Sequence, residues 1–125
     1  MMATESRPRA EFRRIDVERA RQLLQDPDTL VLDVRDARAF SAGHIASALH
    51  VTSANVGSVI ARTPRKTPIL IYCYHGNSSQ NHAQTFIDFG FRDVYSLDGG
   101  YEAWHAREPA GVSSTANDGA GQSPR

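Results

Sequence analysis

The stretch Ile69-Leu70-Ile71-Tyr72-Cys73-Tyr74-His75-Gly76-Asn77-Ser78-Ser79 changes character at one residue. Before Cys73 the side chains are aliphatic or aromatic and Pro68 bounds the run, which is what a strand covered on both faces requires. After it come polar residues and a glycine, suited to a tight turn. Further on, Ala83, Phe86, Ile87 and Gly90 recur at helical spacing. The order is strand, loop, helix, with a thiol at the junction. There it faces unpaired N–H groups and the positive end of the helix dipole, and both favour the thiolate. The thiolate is the attacking form of cysteine, so the segment reads as a nucleophile loop.

The same alternation runs outward in both directions. Phe12 to Ile15 predicts a short strand, and Asp16 caps a helix that places Val17, Ala20, Leu23 and Leu24 on one face. Asp26-Pro27-Asp28 breaks that helix before a second apolar run, Thr29 to Val34. Asp36 caps a short helix through Phe40 that Gly43 ends, Ala48 to Val51 predicts another short strand, and a helix follows from about Ser53 to Ala61. Beyond the cysteine loop, Asp93 to Ser96 predicts a last strand and Tyr101 to Arg107 a last helix. Such alternation predicts an α/β domain with a central, mostly parallel sheet. Ligands of these sheets bind outside the carboxyl ends of the strands, where Cys73, Arg35-Asp36 and Asp98-Gly99-Gly100 are expected to converge.

With 125 residues the chain has room for one domain with a substantial core. Its 14 basic and 14 acidic residues cancel, so no charge excess draws it to nucleic acid, and no apolar run is long enough to span a membrane. The N-terminal residues lack the apolar core of a secretory signal. A single cysteine excludes an internal disulfide and suits the cytoplasm. Residues 1–10 and 112–125 are polar and aperiodic, hence expected to be disordered tails around a domain at 11–111.

Free cysteine is most often a small buried hydrophobe. Here the polar loop after it favours chemistry, because Gly76 allows positive φ and successive N–H groups can then form an anion-binding nest. One cysteine with scattered histidines lacks metal-ligand spacing. A Cys-His protease pairing has no recognisable third member, and His75 is too near in sequence. A cysteine phosphatase is the stronger rival, but its loop would end in arginine where Ser79 stands, and this loop carries no lysine or arginine.

Four segments together resemble the rhodanese family: Leu32-Asp33-Val34-Arg35-Asp36, Phe40 with Gly43-His44-Ile45 and Ala48, the loop Cys73 to Ser79, and Ser96-Leu97-Asp98-Gly99-Gly100-Tyr101-Glu102-Ala103-Trp104. The resemblance covers roughly Phe12 to Pro109 and is closest to the single-domain, sulfur-transferring members with the shorter loop. It implies a five-stranded parallel sheet with helices on both sides and no cofactor. It also implies thiosulfate as donor: Cys73 attacks the outer sulfur, expels sulfite and keeps a persulfide. An acceptor (cyanide in an assay, a thiol or thioredoxin in cells) then takes that sulfur, so ping-pong kinetics are expected.

Within that scheme the amides of Tyr74, His75, Gly76, Asn77 and Ser78 would cradle the persulfide. The side chains of His75, Asn77 and Ser78 would meet substrate oxygens or order the loop. Alternatives are a persulfide carrier with protein donor and acceptor, a non-catalytic interaction domain, and, last, a phosphatase or arsenate reductase. Asp33 and Arg35 are expected to brace the strand end, His44 to fix a turn, Trp104 to anchor the last helix, and Arg92 to be a surface charge rather than a rim charge for an anion. His50, His82 and His105 carry no functional expectation, and the sequence leaves the oligomeric state open.

Overall fold

The computed structural model describes residues 10–108. Ten elements alternate along them: β1 (Arg13–Ile15), α1 (Val17–Leu23), β2 (Leu30–Asp33), α2 (Ala37–Ala42), β3 (Leu49–His50), α3 (Val56–Arg62), β4 (Ile69–Tyr72), α4 (Ser78–Asp88), β5 (Val94–Leu97) and α5 (Gly100–Ala106). The strands form one sheet in the order β1-β5-β4-β2-β3, and every pairing is parallel. The expected α/β architecture with a five-stranded parallel sheet is therefore what the chain adopts. The two expected tails, 1–10 and 112–125, lie outside the described residues except for Ala10. That residue packs with Phe12 against the core.

The uninterrupted apolar run of β4 is explained by its central place. Successive side chains point to opposite faces of a strand. Ile69 and Ile71 join Val59, Ile60, Phe86 and Ile87, under α3 and α4. Leu70 and Tyr72 join Val17, Ala20 and Trp104, under α1 and α5. Both faces are covered, so no polar alternation survives. Trp104 is the expected anchor of the last helix.

Several boundaries differ from the sequence reading by a few residues, and at three of them the structure shows the reason. α3 starts at Val56 rather than near Ser53, because Asn55 Oδ1 accepts from Thr52 N–H (2.8 Å) and Thr52 Oγ1 from Ala54 N–H (3.1 Å). These side chains satisfy a turn that competes with the helix. β5 runs one residue further, since Leu97 pairs with Ile15 of β1. α5 begins at Gly100, one residue early, because Gly99 takes the left-handed φ of 78° that closes the preceding turn.

Candidate active site

Cys73 follows the last residue of β4, at the carboxyl edge of the sheet, and its residue is 3 % exposed. Its Sγ accepts from the N–H of Gly76 at 3.2 Å and from the N–H of Ser79 at 3.3 Å, with the Ser79 hydroxyl 3.4 Å away. Of the amides of Tyr74 to Ser78 expected around the sulfur, Gly76 reaches it. The second donor comes from Ser79, in the first turn of α4. Burial pushes the thiol up, but the hydroxyls of Ser79 and Ser78 and the N–H groups of Ser79 and Gly76 outweigh it and bring it down to about 7.

The first turn of α5 shapes this loop from outside. Tyr101 N–H donates to the Cys73 carbonyl at 2.7 Å, and Glu102 N–H to the Tyr74 carbonyl at 3.1 Å. Two donors that a helix start leaves unsatisfied are thereby used. These two carbonyls are held by α5, while the N–H groups of Gly76 and Ser79 point at the sulfur. Gly100 is needed for this docking, since a β-carbon there would collide with the Tyr74 carbonyl.

Arg35 and Asp33 brace the neighbouring strand end, as expected. Arg35 Nη2 meets Asp33 Oδ2 at 2.7 Å and the Gly43 carbonyl at 2.6 Å, and Nε bridges both Asp33 oxygens at 3.1 Å. The guanidinium lies 4.1 Å from the ring centroid of Tyr101. Burial opposes its charge, but Asp33 outweighs burial and holds the guanidinium above its ordinary value. Asp36 caps α2 through Ala39 N–H (2.8 Å) and also accepts the Tyr74 hydroxyl (2.5 Å). The three sequence patches do converge: Asp36 reaches Tyr74, and α5 clamps the cysteine loop.

The remaining loop residues are open to solvent. His75 Nδ1 pairs with Glu102 Oε1 at 2.9 Å, and both groups are mostly exposed. Asn77 and Ser78 are also exposed. His44 fixes its turn through the Phe40 carbonyl (2.8 Å) and by stacking on the Phe40 ring. Arg92 is exposed just before β5, at the opposite end of the parallel sheet from Cys73, so it forms no rim to this site.

Sequence reasoning missed Ser79 and Ser96. At Ser79 it registers only the lack of an arginine. Ser96 hides in β5, although a serine inside the run Val94-Tyr95-Ser96-Leu97 is a signal, because a buried hydroxyl needs a partner. That partner is Ser79 Oγ, at 2.8 Å. His50 was missed too: its Nε2 is 2.6 Å from the Arg35 carbonyl and holds the end of β2.

A parallel sheet flanked by helices, with a cysteine in an amide-lined loop at the carboxyl end of its central strand, defines a class of thiol-bearing α/β domains. The chain belongs to the rhodanese-like family, whose profile, described as Rhodanese-like domain, matches residues 16–107. Among curated proteins it is 45% identical over 105 residues to the thiosulfate sulfurtransferase GlpE of Pseudomonas fluorescens, covering 84% of this chain and 95% of that one. The thiosulfate sulfurtransferase GlpE of Pseudomonas aeruginosa is 47% identical over 103 residues, covering 82% and 93%. Of the solved structures, the crystal structure of the Alr3790 protein from Anabaena sp. superposes with a TM-score of 0.70 at 22% identity, over 83% of each chain. That likeness concerns the fold alone.

Proposed function

We propose that this chain is a thiosulfate sulfurtransferase working through a persulfide on Cys73. The observation that carries the reading is the set of donors converging on Cys73 Sγ: two N–H groups within 3.3 Å and the Ser79 hydroxyl. They hold a soft anion where it can attack. The printed names of the relatives support thiosulfate as the donor.

Cys73 thiolate attacks the outer sulfur of thiosulfate, forming a new S–S bond. The old S–S bond breaks, and its electron pair leaves with sulfite. The charge lost from Cys73 Sγ reappears on the outer sulfur of the persulfide, one atom further along the loop. Gly76 lets the loop amides turn inward toward it. No general base is needed, because a large share of the nucleophile is already thiolate at neutral pH and sulfite leaves without a proton. The exposed side chains of His75, Asn77 and Ser78 and the half-exposed ring of Tyr74 are placed to meet donor oxygens or the acceptor. Cyanide, a small thiol or thioredoxin then attacks the outer sulfur, and the bond electrons return to Cys73 Sγ. A free, low-pKa thiol of this kind suits a reducing compartment such as the cytoplasm.

The test combines thiocyanate production from thiosulfate and cyanide with intact-mass measurement before cyanide is added. A gain of one sulfur atom, followed by turnover, is expected. Cys73→Ser removes both while keeping the fold. Sulfur uptake without turnover would replace this reading with that of a carrier serving a protein partner, and residual transfer in Cys73→Ser would overturn the mechanism.

A further inference from the structure

Ser96 stands where only an apolar residue would be neutral. It is wholly buried in β5, between Tyr95 and Leu97, and its side chain faces α4. A buried hydroxyl without a partner is costly. Among the described residues its hydroxyl has one hydrogen-bond contact, Ser79 Oγ at 2.8 Å. Ser79 is also wholly buried, and its oxygen has two such contacts, Ser96 Oγ and Cys73 Sγ. The three atoms form a line from the reacting sulfur into the sheet.

The direction of the hydrogen bonds along this line follows from counting protons. A hydroxyl has one hydrogen and two lone pairs. When Cys73 is a thiolate, the sulfur can only accept, so Ser79 must give its hydrogen to the sulfur. The 2.8 Å contact is then filled only if Ser96 donates to Ser79. With two O–H hydrogens for two contacts, every group is used once. Ser96 also holds Ser79 against the alternative open to a serine in the first turn of a helix, which is to bond a nearby backbone carbonyl instead.

We propose that Ser96 is a positioning residue that keeps the Ser79 hydroxyl aimed at the Cys73 sulfur as a donor. It acts only through Ser79 and touches no substrate. Because adjacent hydrogen bonds polarise one another, it also strengthens the bond Ser79 makes to the thiolate. The inference rests on the reading of Cys73 as the reacting thiolate, and concerns what tunes that thiolate.

The experiment is the pH midpoint of iodoacetamide alkylation, followed by intact mass on the whole protein. The lone cysteine makes the readout unambiguous, and no sulfur donor is involved. Ser79→Ala is expected to raise the midpoint by about one to two units, the loss of one hydrogen bond to a charged group. Ser96→Ala should raise it by about half a unit. The double variant should match Ser79→Ala alone, and Ser96→Thr, which keeps the hydroxyl, should restore the wild-type midpoint. An unchanged midpoint in Ser96→Ala would overturn the proposal, as would shifts that simply add in the double variant. A protein that alkylates as described yet never takes sulfur from thiosulfate would refute the proposed function and leave the role of Ser96 standing.

Discussion

Gly76 passes so close to Gly99 that a β-carbon on it would lie 2.8 Å from the Gly99 amide nitrogen and 3.1 Å from the Leu97 carbonyl oxygen. The obstacle is backbone, which cannot rotate aside, and Gly76 also holds φ at 93°. Gly76→Ala is therefore opposed twice, by the left-handed conformation (about 1–2 kcal/mol) and by the collision. Since Gly76 supplies an N–H to Cys73, the loop should open and lose a thiolate donor. We expect loss of at least about 2 kcal/mol in urea unfolding and a thiol midpoint shifted upward. Gly57, inside α3, is the control, since a β-carbon there would meet nothing within 4 Å. Gly57→Ala should stabilise, by at most about 0.5–1 kcal/mol in this first helical turn. If both variants behaved alike, the packing of Gly76 against Gly99 would not matter.

The thiol near 7 makes two pH-dependent claims. Alkylation should rise through a midpoint near 7 and level off about a unit above it. Stability should follow the same group. The folded value lies below the ordinary value of 9.0, so the stabilisation is fully present above about 9 and is lost as pH falls through 7. Between these limits the wild type should gain up to roughly 2–3 kcal/mol relative to Cys73→Ser. The comparison isolates Cys73, because every other titratable group is common to the two proteins. Parallel curves for the two proteins would mean that the loop does not favour the thiolate.

Asp36 joins two parts of the site that are distant in sequence. It accepts from Ala39 N–H at the start of α2 and from the Tyr74 hydroxyl in the loop. The Tyr74 hydroxyl and the Ala39 N–H hold its carboxyl below the usual range, and Asp36 in turn holds the Tyr74 phenol above its own. Asp36→Asn keeps a competent cap but loses the charged acceptor. Ultraviolet titration should then show one tyrosine ionising at lower pH than in wild type. Tyr74→Phe should remove that same transition. An unchanged titration in Asp36→Asn would argue that the two residues do not meet in solution.

How much of this is legible in the sequence depends on whether a residue's role is set locally. The strand Ile69 to Tyr72 can be read because burial on both faces leaves an unbroken apolar run, and Asp16 and Asp36 because capping is decided within one turn. Cys73 is legible from its neighbours. Ser79 and Ser96 are not, because their meaning lies in a contact across 17 positions that only the packing of α4 on β5 creates. The same holds for Tyr101, whose N–H fixes the Cys73 carbonyl through the docking of α5. Arg35 is readable as a brace, but the Tyr101 ring over its guanidinium is not, since no local pattern announces it.

The Asp33–Arg35 pair offers the sharpest stability test. Asp33 is wholly buried and accepts from Arg35 through the backbone N–H, Nε and Nη2. Burial and the Asp33 carboxylate together hold the Tyr72 phenol far above its ordinary range, so Tyr72 stays neutral beside the pair. Arg35→Met would leave a buried carboxylate without its cation and the Gly43 carbonyl without its donor. The expected cost is about 3–5 kcal/mol. Asp33→Leu strands the guanidinium instead and should cost a similar amount. The double variant Asp33→Leu/Arg35→Met buries no charge, so it should be more stable than either single variant, with a coupling of about 1–3 kcal/mol in a double-mutant cycle. Additive losses would show that each residue acts through separate contacts. Recovery of stability without recovery of thiocyanate production would assign the pair a second task, holding Tyr101 and the α5 clamp in the geometry that turns the loop amides toward Cys73.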